Sequence, residues 1–280
     1  MVGQILHKTK LFGVLMVIVF FAASSVADAA PNWNTNTIQV TGMGVANPAL
    51  VTTPAHASML ARRAAVLDAY RQLAEEINGV QVDSETTVQN MMIQSDKVRT
   101  SVNALIKNAR IVSEGELAGG GYSVTMEIGI FGGTDSLADK VLERPAYVEP
   151  IPAPAPDYRP PVVQTQPSYR GGGYTGLIVD CRDFDSVNHV MSPVILNENG
   201  QKIYGHKNLD FDRIIREGMV SYAHDMSQTS RAGSNPLIVH ALWLEGHNAN
   251  PVLSMEEAEL VLYENSTSHF LENIAVVFLH

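Results

Sequence analysis

The sequence predicts an α+β protein built from two small domains joined by a proline-rich tether. Three observations point there. Apolar runs of strand length interleave with longer segments of helical period on both sides of the chain's middle. Of the 14 prolines, Pro145, Pro150, Pro152, Pro154, Pro156, Pro160, Pro161 and Pro167 crowd one stretch, followed by Gly171-Gly172-Gly173. The segment on each side, roughly 110 residues, is long enough for its own core. The expected division is a leader at 1–29, a first domain at 30–143, a linker at 144–173 and a second domain at 174–280.

The leader has a basic start at His7, Lys8 and Lys10, then an unbroken apolar run from Leu11 to Ala23. The small residues of Ser24-Ser25-Val26-Ala27-Asp28-Ala29-Ala30 follow. That is the layout of a cleaved secretory signal, with Ala27 and Ala29 marking a cut after Ala29. The apolar run is shorter than the roughly 20 residues a membrane helix needs, so cleavage is expected over retention as an anchor. The protein is expected in the periplasm or associated with the outer membrane, with no membrane span after cleavage.

The first domain is expected in the order β-α-β-α-β-β, two helices covering one face of a mainly antiparallel sheet. Thr37-Ile38-Gln39-Val40-Thr41 alternates as a strand, and Gly42-Met43-Gly44 reads as the turn that ends it. Thr53-Pro54 opens a long helix. Met59, Val66, Tyr70, Leu73 and Ile77 supply its apolar positions, with Ala61, Ala65, Ala69 and Ala74 beside them for close approach. Gly79 stops it. Val80-Gln81-Val82 and Thr86-Thr87-Val88 read as extended strand. A second helix is expected around Lys97–Asn108, then a hairpin from Ile111–Leu117 to Tyr122–Ile130 across Ala118-Gly119-Gly120-Gly121.

The linker reads as an extended spacer of about 3.1 Å per residue, up to roughly 80 Å from Arg144 to Arg170. Its prolines fix φ and remove backbone donors. A spacer of that kind lets one domain dock while the other reaches.

The second domain is expected to be a mixed α/β sheet. Gly176-Leu177-Ile178-Val179 reads as a short buried strand. Val194-Ile195-Leu196 and Gln201-Lys202-Ile203-Tyr204 flank the hairpin signal Asn199-Gly200. Asp210 caps a short helix with Phe211, Ile214 and Ile215 inward, closed by Gly218. Met219–Tyr222 is extended, and Leu237–Trp243 is the candidate central strand. Ser254-Met255-Glu256-Glu257 is a capping box opening a helix with Ala258, Val261 and Leu262 inward. Ile274–Leu279 closes the chain as a buried strand.

Charge narrows the function classes. Without residues 1–29 the chain keeps 17 basic against 28 acidic residues. Phosphate affinity comes mainly from Lys and Arg, so nucleic acid is not an expected partner. Cys181 is the single cysteine, which rules out an internal disulfide. Gly42-Met43-Gly44-Val45-Ala46-Asn47 imitates the start of a dinucleotide fingerprint, but its third glycine is replaced by Asn47. His189, His206, His224, His240, His247, His269 and His280 show no tight metal-ligand spacing. Asp180, Asp183 and Asp185 crowd a strand end, where carboxylates can hold a cation or do acid-base work; the loop lacks the glycine and distal Glu of a calcium hand. No catalytic residue, cofactor or metal ligand is assigned.

One stretch runs from Thr41-Gly42-Met43-Gly44 through Ala61-Arg62-Arg63-Ala64-Ala65-Val66-Leu67-Asp68-Ala69-Tyr70-Arg71 to Ile77-Asn78-Gly79-Val80. Val102–Ala109 and Tyr122–Glu127 continue it. Over about residues 37–131 the pattern resembles the twenty-kilodalton surface lipoprotein family and the N-terminal domain of flagellar assembly protein T. From Gly176 to the last strand the chain looks like a C-terminal module found with this first domain in bacterial envelope proteins. The resemblance implies a structural protein of a two-membrane bacterium, with partners among envelope or surface-structure proteins, some tied to flagellar assembly. It offers no catalytic residues. A lipoprotein carries a cysteine at its cleavage site, and this chain has none there, which argues against a lipid anchor.

The leading expectation is therefore a non-enzymatic envelope protein that scaffolds or assembles a surface structure, with Arg62, Arg63 and Arg71 as a candidate interaction face. The alternative is a periplasmic ligand- or cation-binding protein or enzyme using the strand end at Asp180, Asp183 and Asp185.

Overall fold

The computed structural model describes residues 30–160 and 173–280; the expected leader and the stretch 161–172, with Pro161, Pro167 and two of the three linker glycines, lie outside the described residues. The first domain comprises β1 (Pro31–Asn32), β2 (Thr37–Val45), α1 (Pro54–Gly79), α2 (Val88–Gln94), α3 (Asp96–Lys107), β3 (Arg110–Leu117), β4 (Gly121–Gly129) and α4 (Leu137–Val141). Its four strands are antiparallel in the order β1-β2-β4-β3. In β2, Ile38 and Val40 are buried while Gln39, Met43 and Val45 face outward, as alternation demands.

Gly42 and Gly44 lie inside β2 and do not end it. A Cβ on Gly42 would stand 2.2 Å from the Ala69 nitrogen, and one on Gly44 would stand 2.3 Å from the Ala61 oxygen. Both glycines are there because α1 lies directly on the strand backbone. The helix presents Ala61, Ala65 and Ala69 to that contact, then Leu73 and Ile77, all buried. Met59, expected inward, is exposed instead. Thr53 caps α1 by accepting the His56 N–H at 3.1 Å, and Pro54 occupies the first turn, where its missing donor costs nothing.

The strand expected between the two helices is reduced to a single bridge, Gln81 to Thr87. The Asp83 carboxylate accepts the Glu85 and Thr86 N–H groups at 2.9 and 2.8 Å, turning the chain sharply. Thr87 then caps α2 through Asn90, so its β-branched run serves a helix start. α3 packs with α1, α2 and α4, while α1 lies along β2 and β4.

The second domain contains β5 (Gly176–Asp180), β6 (Ile195–Asn197), β7 (Lys202–Tyr204), α5 (Phe211–Glu217), β8 (Ser221–Ala223), β9 (Pro236–His240), β10 (Trp243–Glu245), β11 (Asn250–Leu253), α6 (Met255–Ser268) and β12 (Val276–Leu279). Two sheets share these strands. One is wholly parallel, β8-β12-β5-β9; the other is mixed, β10-β11-β6-β7. The central strands of the parallel sheet are β5 and β12, and β12 is buried throughout. Leu237–Trp243 is not central. It is an edge: Leu237 and Val239 are buried, but Ile238 is 44 % exposed, and the chain leaves this sheet after His240 to begin β10 in the other.

The two domains share one apolar cluster, running from Ile38 and Leu73 through Phe131 and Met191 to Phe278. Backbone bonds stitch the joint: Gly132 and Gly133 N–H to the Ile215 oxygen, both 2.9 Å, and Met191 N–H to the Gln81 oxygen at 3.1 Å. The first part of the linker does not stand free as a spacer. The Arg144 guanidinium sits 4.4 Å above the Phe211 ring and pairs with Asp212 at 2.6 Å. Glu149 N–H reaches the Lys207 oxygen at 2.8 Å, and Ala155 N–H reaches Glu259 at 2.7 Å. Proline-rich backbone has few donors, and these two are spent holding it as a strap on the second domain. Among the described residues no helix is long and apolar enough to cross a membrane.

Candidate functional site at the carboxyl rim of the parallel sheet

In open parallel sheets, ligands collect at the carboxyl ends of the strands. Here each of the four strands delivers a titratable residue to that rim. β8 leads into His224, β12 into His280, β5 ends at Asp180 and β9 at His240.

The β8–β12 side is an aromatic cluster. His189 stacks on Tyr222 with ring centroids 4.0 Å apart, and its Nε2 lies 2.9 Å from Nε2 of His280. His224 stands 4.5 Å from the His280 ring. Trp33, from the start of the first domain, meets His189 and Tyr222 edge-on at 5.9 and 5.8 Å. The Tyr222 hydroxyl is fully used, accepting from the Val190 N–H at 2.9 Å and donating to its carbonyl at 3.0 Å. Burial, with His280 and His224 nearby, pushes His189 down to about 4, so it is neutral at neutral pH. A cleft of about 350 Å³ opens above, lined by Trp33, His189, Tyr222 and His224.

The β5–β9 side is held by ion pairs. Arg182 donates to Asp180 from Nε at 2.9 Å and from Nη2 at 2.5 Å, and these bonds hold the carboxyl below its usual range. Asp183 and Asp185 are exposed in the loop beyond. The three aspartates therefore do not converge, and among the described residues no group of three or more His, Cys, Asp or Glu could hold a metal ion. His240 is an exposed edge residue, 3.5 Å from Glu257. Cys181 is buried, and burial pushes its thiol up to about 12, leaving the inert protonated form.

The three arginines of the candidate interaction face part company. Arg62 reaches across to Glu114 of β3 at 2.8 Å. Arg71 is held along its own helix by Asp68 and Glu75, at 2.7 and 2.8 Å. Arg63 faces outward, between the exposed Met59 and Leu67 one helical turn away on either side. The sequence reading missed the His189–Tyr222–His280 cluster because its members are far apart in the chain. The one available signal was that His224 and His280 each follow a short apolar strand.

Residues 31–129 match the LPP20 lipoprotein family. Residues 176–280 match a second family, the second domain of Treponema pallidum Tp0624. The chain thus joins an LPP20-type first domain to a Tp0624-type second domain, and the two matches meet the boundaries of the two sheet systems. No curated protein matches the chain.

Proposed function

We propose that this protein is a non-enzymatic structural or assembly component of the bacterial cell envelope, periplasmic or associated with the outer membrane, that serves surface or flagellar structures. The observation that carries the reading is the LPP20 lipoprotein match over the first domain. The state of the chemistry-bearing residues supports it. The Asp180 carboxylate is held by Arg182, the Tyr222 hydroxyl by Val190, and the Cys181 thiol is buried and protonated. The buried Cys181 is also no site for a lipid anchor. The protein's partners are other envelope or surface-structure proteins, and the outward stripe of α1 around Arg63 is the face they meet.

The test is cross-linking in intact cells followed by purification from the envelope, with Arg63→Glu alongside. The expected result is a stoichiometric set of envelope proteins, depleted by the charge reversal while the variant stays folded. A clean monomer in the soluble periplasmic fraction would overturn the assembly role.

A further inference from the structure

A larger cleft, about 760 Å³, lies away from the histidine rim and is built from four separate stretches of the chain. That volume falls within the span of small-ligand sites, which favour domain junctions. The turn at Asp83, Ser84, Glu85 and Thr86 comes from the first domain. Pro150 and Pro152 come from the strap, Leu196 and Lys202 from β6 and β7 with Val194 just before them, and Glu245, Gly246 and Asn250 from β10, β11 and the turn between them.

The cleft is lined by charges of both signs. Gly246 packs so tightly on Ser84 that a Cβ there would stand 2.4 Å from the Ser84 Cβ, and His247 Nδ1 lies 2.8 Å from the Ser84 oxygen. That contact joins the two stretches that supply Asp83, Glu85 and Glu245, the acidic wall of the lining. The strap is tied to Lys207 through Glu149 N–H, and Asn208 donates to the Pro150 oxygen at 3.1 Å. The lysines of the lining are Lys207, whose ammonium stands 3.9 Å from the Glu149 carboxylate, and Lys202 of β7. Val194 and Leu196 add apolar surface. Two opposite charges on different domains, Glu85 and Lys202, line this space exposed and make no ion pair among the described residues. A lone anion would meet the acidic wall, and a lone cation the lysines. A molecule with an ammonium at one end, a carboxylate at the other and small apolar groups between matches the carboxylates, the lysine and the apolar surface of the lining.

We propose that this cleft binds a short zwitterionic peptide, its ammonium at Asp83, Glu85 and Glu245 and its carboxylate at Lys202. The binding activity is separate from the envelope-assembly reading, and each can fail without the other. Because Glu85 and Lys202 are open to water, each terminal charge contributes modestly, about a fivefold change in affinity. The experiment is titration of the purified protein with trialanine, followed by amide chemical shifts, with N-acetylated and C-amidated trialanine in parallel. Trialanine should produce saturable shifts around residues 83–86 and 202–208. Blocking either end, or making Glu85→Lys or Lys202→Glu, should weaken binding about fivefold. Both variants change exposed side chains and leave the fold in place. Absence of saturable shifts at millimolar trialanine overturns the proposal. So does equal binding of the blocked peptides, or shifts confined to residues outside the cleft.

Discussion

In the first domain the contact between helix and sheet is made by backbone. Gly42 and Gly44 present no side chain, and α1 answers with Ala61, Ala65 and Ala69. In the second domain the parallel sheet is filled by large side chains, with Leu177, Val179, Val276 and Phe278 on the face toward the shared core. A parallel sheet must be covered on both faces. The opposite face, at Ile178, Val277 and Leu279, forms its own small cluster with Ala223 and Ala232. There too the cover approaches a glycine, since a Cβ on Gly176 would stand 2.5 Å from the Ala232 backbone. The contrast teaches that one core can be closed by excluding atoms at one end and by supplying them at the other. Errors of opposite sign should therefore damage the two regions.

The largest expected effect tests the side-chain end. Phe278→Ala removes a fully buried ring and should cost about 3–5 kcal/mol, read from urea unfolding. The backbone end should respond to an addition. Gly42→Ala inserts a single methyl against α1 and should cost about 1–3 kcal/mol, although alanine is the smallest substitution available. Because the apolar cluster runs unbroken through both domains, each change should shift one and the same cooperative transition. Two separable transitions, with each mutation moving only its own, would show that the shared cluster does not couple the domains.

The smallest effect is one of pH, at the seam between the two regions. Folding lowers His189 from its ordinary 6.5 to about 4. Between those values the unfolded chain takes a proton that the folded chain refuses. The stability tied to this group is complete above about pH 6.5 and is lost as pH falls toward 4. His189→Phe keeps a ring against Tyr222 without the titrating nitrogen. Its melting temperature should fall less between pH 7 and pH 4.5 than that of the parent. Asp68, Asp180 and Asp225, each held below the usual carboxyl range by hydrogen bonds, lose stability over an overlapping acid range. They do so in both proteins, so the difference reports His189 together with His280, which it touches and which burial also lowers. Parallel acid profiles would remove His189 from this role.

Much of the architecture was legible because it is local. Thr53-Pro54 and Ser254 with Glu257 announce helix starts through caps made within one turn. Asn199-Gly200 announces a hairpin, and Gly200 has the positive φ that its turn requires. Where the reading failed, two local meanings competed. Gly42 and Gly44 fit a turn as well as a flat strand under a helix, and only the position of Ala65 and Ala69 decides between them. Thr86-Thr87-Val88 has strand composition, yet Thr87 is more useful as a cap once Asp83 has turned the chain. Leu237–Trp243 is apolar enough for a central strand, but it is shared between two sheet edges. The rim was hidden for the same reason, since His189 and His280 lie 91 positions apart and meet only when β8 and β12 pair.

By itself the sequence determined the α+β class, the antiparallel sheet of the first domain and the starts of α1 and α6, since periodicity and caps act over a few residues. It also showed the acidic balance and the lone Cys181. Only the tertiary structure decided which strands are central, that the first part of the proline-rich segment lies as a strap, and which charges line the interdomain cleft. Those outcomes depend on contacts between residues far apart in the chain. Their free energy appears only after the chain has closed on itself.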